Sequence, residues 1–329
     1  MKKGISIVAI LMLAISLSLC FVACDKTPSG ETPEVRGFTD KDNQYLVLYD
    51  DFDATEINSE LWNVYGKDKG NTPHIRRGAY WDPRQVFTEN NALVIRTQKR
   101  EDGYFYTGAI DSHNKFEKGY GYYEARCKLP KASGLWSAFW LMSKQMEEGT
   151  APGTSDVNLT GAEIDIMESP YYINGETNSM YQYNVHVGDY GNNYLMYSDF
   201  IKGHGPVNLV NYSSAIGSEE DVSLYEDWHT YALEWTETYY KFYIDRILVG
   251  TITDMSYISP LQGFLFLSIE VDGEEKQTKD DDGNVIKREP DAHTQLFKFM
   301  TESVTTNPDT NFPTDFLVDW VAVYSQKPF

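Results

Sequence analysis

The chain has almost no cysteine from which to build disulfide bonds. Its three cysteines are Cys20, Cys24 and Cys127, and the first two lie in an N-terminal segment that stands apart from the rest. Cys127 therefore has no partner in the remaining sequence, which excludes a fold held together by disulfides. Stability must come from a large hydrophobic core, and we expect Cys127 to pack there as a small apolar residue.

Basic residues are also scarce. The chain has 28 Lys and Arg against 49 Asp and Glu, a formal net charge of -21. A surface of this charge repels phosphate backbones, so we expect no nucleic-acid partner. A sulfated polymer would be an unfavourable ligand for the same reason. We expect the charged run 274–282 to be a solvated loop.

The first residues form a targeting segment. Lys2 and Lys3 precede an apolar run from Ile5 to Ala23, the arrangement of a secretory signal peptide. Ala23-Cys24 resembles the lipobox of bacterial lipoproteins, so we predict residues 1–23 as the signal and Cys24 as the lipidated first residue. An uncleaved membrane anchor is the alternative.

The remaining chain divides into a tether and one domain. Residues 24–40 contain much Pro, Thr, Ser and Gly and too few apolar residues to pack, which predicts a flexible tether. Residues 41–329 have one continuous globular composition, so we expect a single domain. With the predicted leader, this domain would be a monomer held outside the cell at the cell envelope.

The pattern of apolar residues favours strands over helices. Period-two alternation with many β-branched and aromatic residues recurs between Gly, Asn, Asp and Pro, and helical periodicity is scarce. These predicted strands include 91–97, 121–129, 231–235, 239–244, 247–252 and 316–324. The pattern predicts an all-β protein built as an antiparallel sandwich. Trp, Tyr and Phe make up 14% of the chain, more than such a core needs, so we expect some rings along a groove.

Three acids occupy one predicted strand, Gly161-Ala-Glu-Ile-Asp-Ile-Met-Glu-Ser. Glu163 and Asp165 share a face because side chains two apart in a strand point the same way, while the intervening isoleucines point into the core. Glu168 is five residues from Glu163 and would face the opposite side. We predict a β-bulge just before Glu168, because one extra residue would rotate it back beside the other two acids.

Acids on one face repel one another, and burial raises their pKa values, so a core gains nothing from this arrangement. Hydrolysis of a glycosidic bond requires it. A retaining enzyme uses one ionised carboxylate as nucleophile and one protonated carboxyl as acid, about 5–5.5 Å apart. An acidic edge strand or a calcium-binding cluster is the structural alternative.

The motif from Glu163 to Glu168 resembles the active-site signature of glycoside hydrolase family 16 in its bulged form. The likeness extends over residues 45–326 and includes Gly-Tyr-Tyr-Glu-Ala-Arg-Cys-Lys-Leu-Pro from Gly121 and Leu-Val-Asp-Trp-Val-Ala-Val-Tyr from Leu317. The resemblance implies a β-jelly roll with a cleft on its concave sheet and retaining, endo-acting hydrolysis of a β-linked polysaccharide. By position, Glu163 would be the nucleophile, Asp165 its assistant and Glu168 the acid/base, with no cofactor for catalysis.

The substrate implied by the resemblance is a β-1,3- or mixed β-1,3/1,4-glucan. Glucanases of the family often carry an arginine in the strand before the Gly-Tyr-Tyr-Glu motif, where this chain has Ala109. This departure favours an endo-β-galactanase, acting on agar-like polymers or host glycans, as the alternative. A lectin-like binding module is a second alternative, but it would have no use for three acids.

Four further residues match cleft positions of the family, and we expect them to bind substrate: Trp136, Trp140, His186 and Trp235. A core position is the alternative for Trp140, and a buried structural role is the alternative for His186. The segment 271–315 exceeds the usual family connection, and it is expected either to add a wall to the cleft or to lie on the surface.

A structural calcium site is also implied by the resemblance. Asp319 matches the aspartate that helps to hold this ion in relatives, and backbone carbonyls near Asp51 and Asn91 would complete the protein ligands. Ligation by oxygen alone suits calcium. The alternative is that Asp319 only caps a strand end.

Overall fold

The computed structural model describes residues 44–170, 181–190, 193–198, 224–225, 227–292 and 312–329. The predicted signal peptide, Cys24 and the tether lie outside these residues. No helix within the described ranges combines the length and the apolar character needed to cross a membrane.

Short strands account for most of the described chain, as the alternation predicted. In chain order they are β1 Leu46–Asp50, β2 Asn63–Val64, β3 His74–Arg76, β4 Ala79–Trp81, β5 Val86–Glu89, β6 Ala92–Lys99, β7 Phe105–Thr107, β8 Ala109–Asp111, β9 Glu117–Lys118, β10 Gly121–Lys128, β11 Leu135–Ser143, β12 Glu163–Pro170, β13 Gln182–Val187, β14 Leu195–Ser198, β15 Trp228–Trp235, β16 Tyr240–Ile244, β17 Ile247–Ile252, β18 Gly263–Val271, β19 Glu274–Lys279, β20 Val285–Asp291 and β21 Thr314–Tyr324. Helical structure in these ranges is limited to the 3-10 turn Pro83–Gln85 and two single-turn helices, α1 Lys144–Glu147 and α2 Val157–Thr160.

All of these strands except β19 and β20 form two packed sheets. The larger has the order β17-β16-β15-β10-β21-β6-β7-β4-β3, with β1 beside β21 and β5 beside β6. The smaller has the order β14-β13-β12-β11-β18-β8-β2, with β9 beside β18. Neighbouring strands are antiparallel apart from β4 and β7, which pair in parallel. The predicted antiparallel sandwich is confirmed, with that one local exception.

The core lies between the two sheets, and the alternation of each strand decides which side chains enter it. In β10, Tyr123, Ala125 and Cys127 face the core, where they meet Ile164 and Ile166 of β12 from the other sheet. Cys127 is fully buried, as expected, and burial raises the pKa of its thiol. Each large apolar side chain removed from water in this way contributes roughly 1.5–3 kcal/mol to folding.

The prediction that Trp235 binds substrate is wrong. Trp235 lies at the end of β15 in the larger sheet, is 1% exposed and belongs to the core between the sheets. Its indole N–H donates to the carbonyl oxygen of Ser259 at 3.0 Å. The acidic strand β12 belongs to the smaller sheet, so the inward face of β15 points at the back of that strand.

The charged run 274–282 is exposed but is not a simple loop. Residues Glu274–Lys279 form β19, which pairs with β20 as a separate two-stranded hairpin. Opposite charges stabilise the pairing across the strands, as where Arg288 contacts Glu275 at 2.7 Å. None of the described residues of 271–292 lines the cleft of the smaller sheet. For these residues the surface alternative of the sequence analysis is therefore the correct one.

Candidate active site

A cleft of about 780 Å³ lies on the face of the smaller sheet that points away from the core. Its floor includes Trp136, Ala138, Trp140 and Met142 of β11, while Phe139 and Leu141 of the same strand enter the core. This division follows from the two-residue period of a strand. The cleft runs across β18, β11, β12 and β13, which places the three predicted acids at its centre.

A β-bulge in β12 brings the three acids together. Asp165 lies opposite Trp140 of β11, and Glu168 lies opposite Ala138, so three steps along β12 match two steps along β11. The register against β13 shifts at the same point. The extra residue lets Glu168 return to the cleft face, and this confirms the predicted bulge.

Glu168 is held by side chains from strands on either side of β12. The indole N–H of Trp136 donates to Oε1 at 2.7 Å, Gln182 donates to Oε2 at 3.1 Å, and Asn184 also donates to Oε2. Burial is the main cause that raises the pKa of Glu168 to about 8. This carboxyl therefore keeps its proton at neutral pH, as a general acid must.

Asp165 and Glu163 share one environment. Burial first, and then the charges of Glu163 and Glu270, raise the pKa of Asp165 well above its ordinary value. Nε2 of His186 lies 3.0 Å from Oδ2 of Asp165 and 3.6 Å from Oε1 of Glu163. The Tyr190 hydroxyl donates to Oε2 of Glu163. Glu163, Asp165 and His186 each offer one oxygen or nitrogen atom that could bind a metal, and these three atoms lie within 4.8 Å of one another. A divalent cation would also accept this spacing.

Trp136 and Trp140 both line the cleft, and each is fixed by a hydrogen bond. Trp136 is 8% exposed and bonds to Glu168. Trp140 stacks on Phe266 with ring centroids 4.0 Å apart and planes 7° apart, and its indole N–H donates to Ser268 at 3.1 Å. One face of Trp140 is therefore covered by protein. The structure therefore places Trp140 in the cleft and not, as in the alternative, in the core.

A part-buried ionic cluster that the sequence did not lead us to expect lines the cleft. Glu270 of β18 is contacted by Arg76, the last residue of β3, and by Arg77 in the turn that follows. Burial alone would raise the pKa of Glu270, but the two guanidinium charges outweigh it and hold the pKa below its ordinary value. A signal was present, because Phe264, Phe266, Ser268 and Glu270 recur with a period of two in β18.

Two tyrosines were also missed. Tyr190 and Tyr194 follow β13 and line the cleft above His186. Sequence alternation could not identify them because they lie in a connection between strands, where no period applies.

The predicted calcium residues lie on the larger sheet. β6 and β1 pair with the same edge of β21, with Leu93 opposite Val318 and Asp50 opposite Val321, which leaves a gap at Asp319. Asn91 and Asp51 are at the strand ends that border this gap. The Asp319 carboxylate is already paired through Oδ2 with Arg126 at 2.5 Å, so a cation there would have to share it.

Comparison with known proteins assigns this architecture to one family. The family model described as glycosyl hydrolases family 16 matches residues 76–282, which include all three acids. Among curated proteins, the chain is similar to glucan endo-1,3-beta-glucosidase A1 of Niallia circulans, with 22% identity over 235 residues, 65% of this chain and 30% of that protein. It is also similar to a beta-glucanase of Acetivibrio thermocellus, with 30% identity over 213 residues, 63% of this chain and 49% of that protein.

A solved structure has the same fold. The catalytic domain of an endo-1,3-beta-glucanase (laminarinase) from Thermotoga petrophila RKU-1 superposes with a TM-score of 0.55 at 23% identity, covering 85% of this chain and 96% of that one. The predicted β-jelly roll is thereby confirmed. The matched region spans between 30% and 49% of the two curated relatives described above.

Proposed function

Because the chain belongs to the glycosyl hydrolases of family 16, we propose that it is a retaining, endo-acting hydrolase of a β-1,3- or mixed β-1,3/1,4-glucan. One observation carries the proposal. The bulge in β12 places Glu163 and Glu168 on one cleft face, and the pKa of Glu168 is raised to about 8. Two carboxyl groups in different protonation states are what a retaining glycosidase needs.

In the first step of this mechanism, the Glu163 carboxylate attacks the anomeric carbon of the sugar. The bond from that carbon to the glycosidic oxygen breaks as Glu168 transfers its proton to the oxygen, and the leaving chain departs with its new hydroxyl. The product is a covalent ester between the sugar and Glu163, with inverted configuration.

In the second step, a water molecule attacks the same carbon. The Glu168 carboxylate now accepts the water proton, the ester bond to Glu163 breaks, and the second inversion restores the original configuration. Both catalytic groups end in their starting protonation states. The two steps use only protein side chains and water.

Asp165 would assist Glu163 as a neutral acid. Its raised pKa favours the protonated form, which can donate a hydrogen bond towards Glu163 and keep the negative charge on the nucleophile. His186 lies within reach of both groups and would stabilise the same charge distribution.

The contacts made by the cationic side chains of the cleft support a neutral substrate. Arg76 and Arg77, which could have neutralised sulfate groups, contact the part-buried carboxylate of Glu270. The net charge of -21 also disfavours the approach of a polyanion. The relatives named beta-glucanase support a glucan, whereas Ala109 at the family arginine position still favours a galactan.

Release of reducing ends from a panel of polysaccharides tests the proposal. We expect cleavage of laminarin or barley mixed-linkage glucan to be faster than that of agarose, porphyran, carrageenan or mucin glycans, with oligosaccharides as early products. Activity on a galactan or a mucin glycan, with none on either glucan, would reject the glucan and favour the galactanase alternative. Binding of a glucan without any cleavage would favour the lectin-like alternative.

We further propose that Cys24 is lipidated and holds the enzyme at the outside of the cell envelope. The proposal is supported by the lipobox-like Ala23-Cys24 at the end of the apolar run. Cys24→Ala should release the enzyme from the membrane fraction. Retention of this variant in the membrane would favour the uncleaved anchor.

A structural calcium at the gap in the larger sheet is proposed from the resemblance. Asp319 would bind it through Oδ1, together with the backbone carbonyls of Asp51 and Asn91. Removal of calcium with EGTA should then lower the melting temperature, and Asp319→Ala should abolish this effect. A melting temperature unchanged by EGTA would reject the ion.

A further inference from the structure

Two tyrosine side chains cover the region between Glu163 and His186. The Tyr194 ring stacks on the imidazole of His186, with centroids 5.6 Å apart and planes 20° apart, and its hydroxyl contacts Nδ1. Tyr190 stacks on Tyr194 at 5.5 Å and donates its hydroxyl to Glu163. Nδ1 of His186 therefore contacts Tyr194, and Nε2 faces the carboxyl groups of Asp165 and Glu163 on β12.

The contact with Tyr194 alone is compatible with either neutral tautomer of His186, because a phenol can donate to Nδ1 or accept from it. Burial and the charges of Glu163 and Asp165 raise the pKa of the Tyr194 phenol, so it remains a hydroxyl and can donate. A neutral imidazole that accepts this hydrogen bond on Nδ1 must carry its proton on Nε2. In a charged imidazolium both nitrogens carry protons, so Nε2 is a donor in either case.

Nε2 faces two carboxyl groups at ion-pair distance, although neither contact has the geometry of a hydrogen bond. Nε2 lies 3.0 Å from Oδ2 of Asp165 and 3.6 Å from Oε1 of Glu163. The opposite tautomer would present a lone pair towards Glu163, and electrostatic repulsion would disfavour the ionised nucleophile. Glu168 and Met196 also lie near His186. The electrostatic interaction with His186 acts to lower the pKa of Glu168, and Met196 lies opposite His186 on β14.

We propose that Tyr194 is a positioning residue that fixes the Nε2–H tautomer of His186 and so turns the positive end of this N–H group towards Asp165 and Glu163. The inference rests on the proposed role of Glu163 as nucleophile. Tyr194 acts through His186 and does not contact the reacting atoms. The matching contact of Tyr190 with Glu163 is a separate interaction, because Tyr190 does not reach the imidazole nitrogens.

The tautomer can be measured without any substrate. The full chain is labelled with ¹⁵N-histidine, and the His186 signals are identified by their loss in His186→Asn. We expect the wild-type ring to be protonated on Nε2, and Tyr194→Phe to give a mixture of tautomers or the Nδ1–H form. A wild-type ring protonated only on Nδ1, or a ring unchanged by Tyr194→Phe, would overturn the proposal.

The kinetic consequence distinguishes positioning from direct substrate contact. Tyr194→Phe should lower kcat about tenfold and leave KM within about twofold, because the side chain acts on the charge balance of the nucleophile. In a His186→Ala background the same substitution should have no further effect. An equal loss in both backgrounds would mean that Tyr194 contacts the substrate directly and would overturn the proposal.

Tyr257→Phe provides the matched control. Its hydroxyl donates to the backbone carbonyl oxygen of Met196 at 3.4 Å, so this variant also removes a phenolic hydroxyl beside β14, at a residue that does not itself line the cleft. Its kcat should equal that of the wild type, and an equal loss in Tyr257→Phe would overturn the specific role of Tyr194. If the wild type cleaved none of the polysaccharides tested, the proposed function would fail, while the tautomer measurement would still decide the role of Tyr194.

Discussion

The indole N–H of Trp136 donates to Oε1 of Glu168, with the two atoms 2.7 Å apart. The two residues lie on neighbouring strands, β11 and β12, and the opposite oxygen of Glu168 receives the amide groups of Gln182 and Asn184 on β13. The orientation of the proposed acid is therefore set from both sides. Because all three groups donate, they favour the ionised form, and burial is what keeps the proton in place.

Trp136→Phe should retain the ring and remove the donor. We expect kcat/KM to fall about tenfold, because Glu168 loses one of the bonds that orient it. Loss of a donor to the ionised form should also raise the pKa of Glu168, so the decline of activity at high pH should move to higher pH. A pH–rate profile identical to that of the wild type would contradict this role of Trp136.

Trp235→Phe is the matched substitution in the core. It removes an indole that bonds to Ser259 and leaves the cleft unchanged. We expect the free energy of unfolding to fall by about 1–3 kcal/mol, with kcat/KM of the folded enzyme unaltered. Urea denaturation together with kinetics on the same samples would separate the two effects. A lower kcat/KM without any loss of stability would indicate that Trp235 binds substrate after all.

Glu163→Gln should abolish turnover while the protein stays folded. The amide keeps the shape of the side chain but cannot form the covalent ester, so kcat should fall by roughly 10⁴-fold or more. Initial rates on the best polysaccharide and a thermal melt provide the measurement. Activity within tenfold of the wild type would remove Glu163 from the role of nucleophile.

Glu168→Ala should be rescued by a small anion. The variant lacks both the acid and the base, so hydrolysis should fall by about 10²–10⁴-fold. On an aryl glycoside with a good leaving group, azide should restore turnover and give a glycosyl azide of retained configuration. An inverted azide product, or a retained product from Glu163→Ala in place of Glu168→Ala, would reverse the assignment of the two residues.

The pH dependence follows from the raised pKa of Glu168. Because the protonated form is the acid, kcat/KM should be retained below a pKa of about 8 and lost as the pH rises through it. The basic limb of the pH–rate profile gives this value directly. A basic limb that falls near pH 5 would show that Glu168 is not the group that must be protonated.

Stability should depend on the same group. The unfolded chain ionises Glu168 at its ordinary pKa, whereas the folded protein keeps the proton up to about pH 8, so stability from this residue falls as the pH rises between these values. The melting temperature of Glu168→Gln should therefore exceed that of the wild type at high pH and differ little from it at low pH. An equal difference at both ends of the range would contradict the raised pKa.

Local patterns in the sequence were sufficient to predict the fold class and the position of the acids. A period of two fixes the face of each side chain, so alternation along β10, β12 and β21 identified the core and placed Glu163 beside Asp165. The spacing of Glu168 conflicts with that period, and the conflict itself predicted the bulge. These inferences succeeded because the information is local to one strand.

Which strand faces meet depends on how the two sheets pack, and no local pattern predicts this. Alternation assigns Trp235 to one face of β15 but cannot tell a face that lines a cleft from a face that packs against the other sheet. Glu270 and Arg76 are 194 residues apart, so no local pattern joins them. Tyr194 reaches His186 from a connection between strands. The raised pKa of Glu168 likewise depends on burial, which is produced by the whole fold and not by the strand that carries the residue.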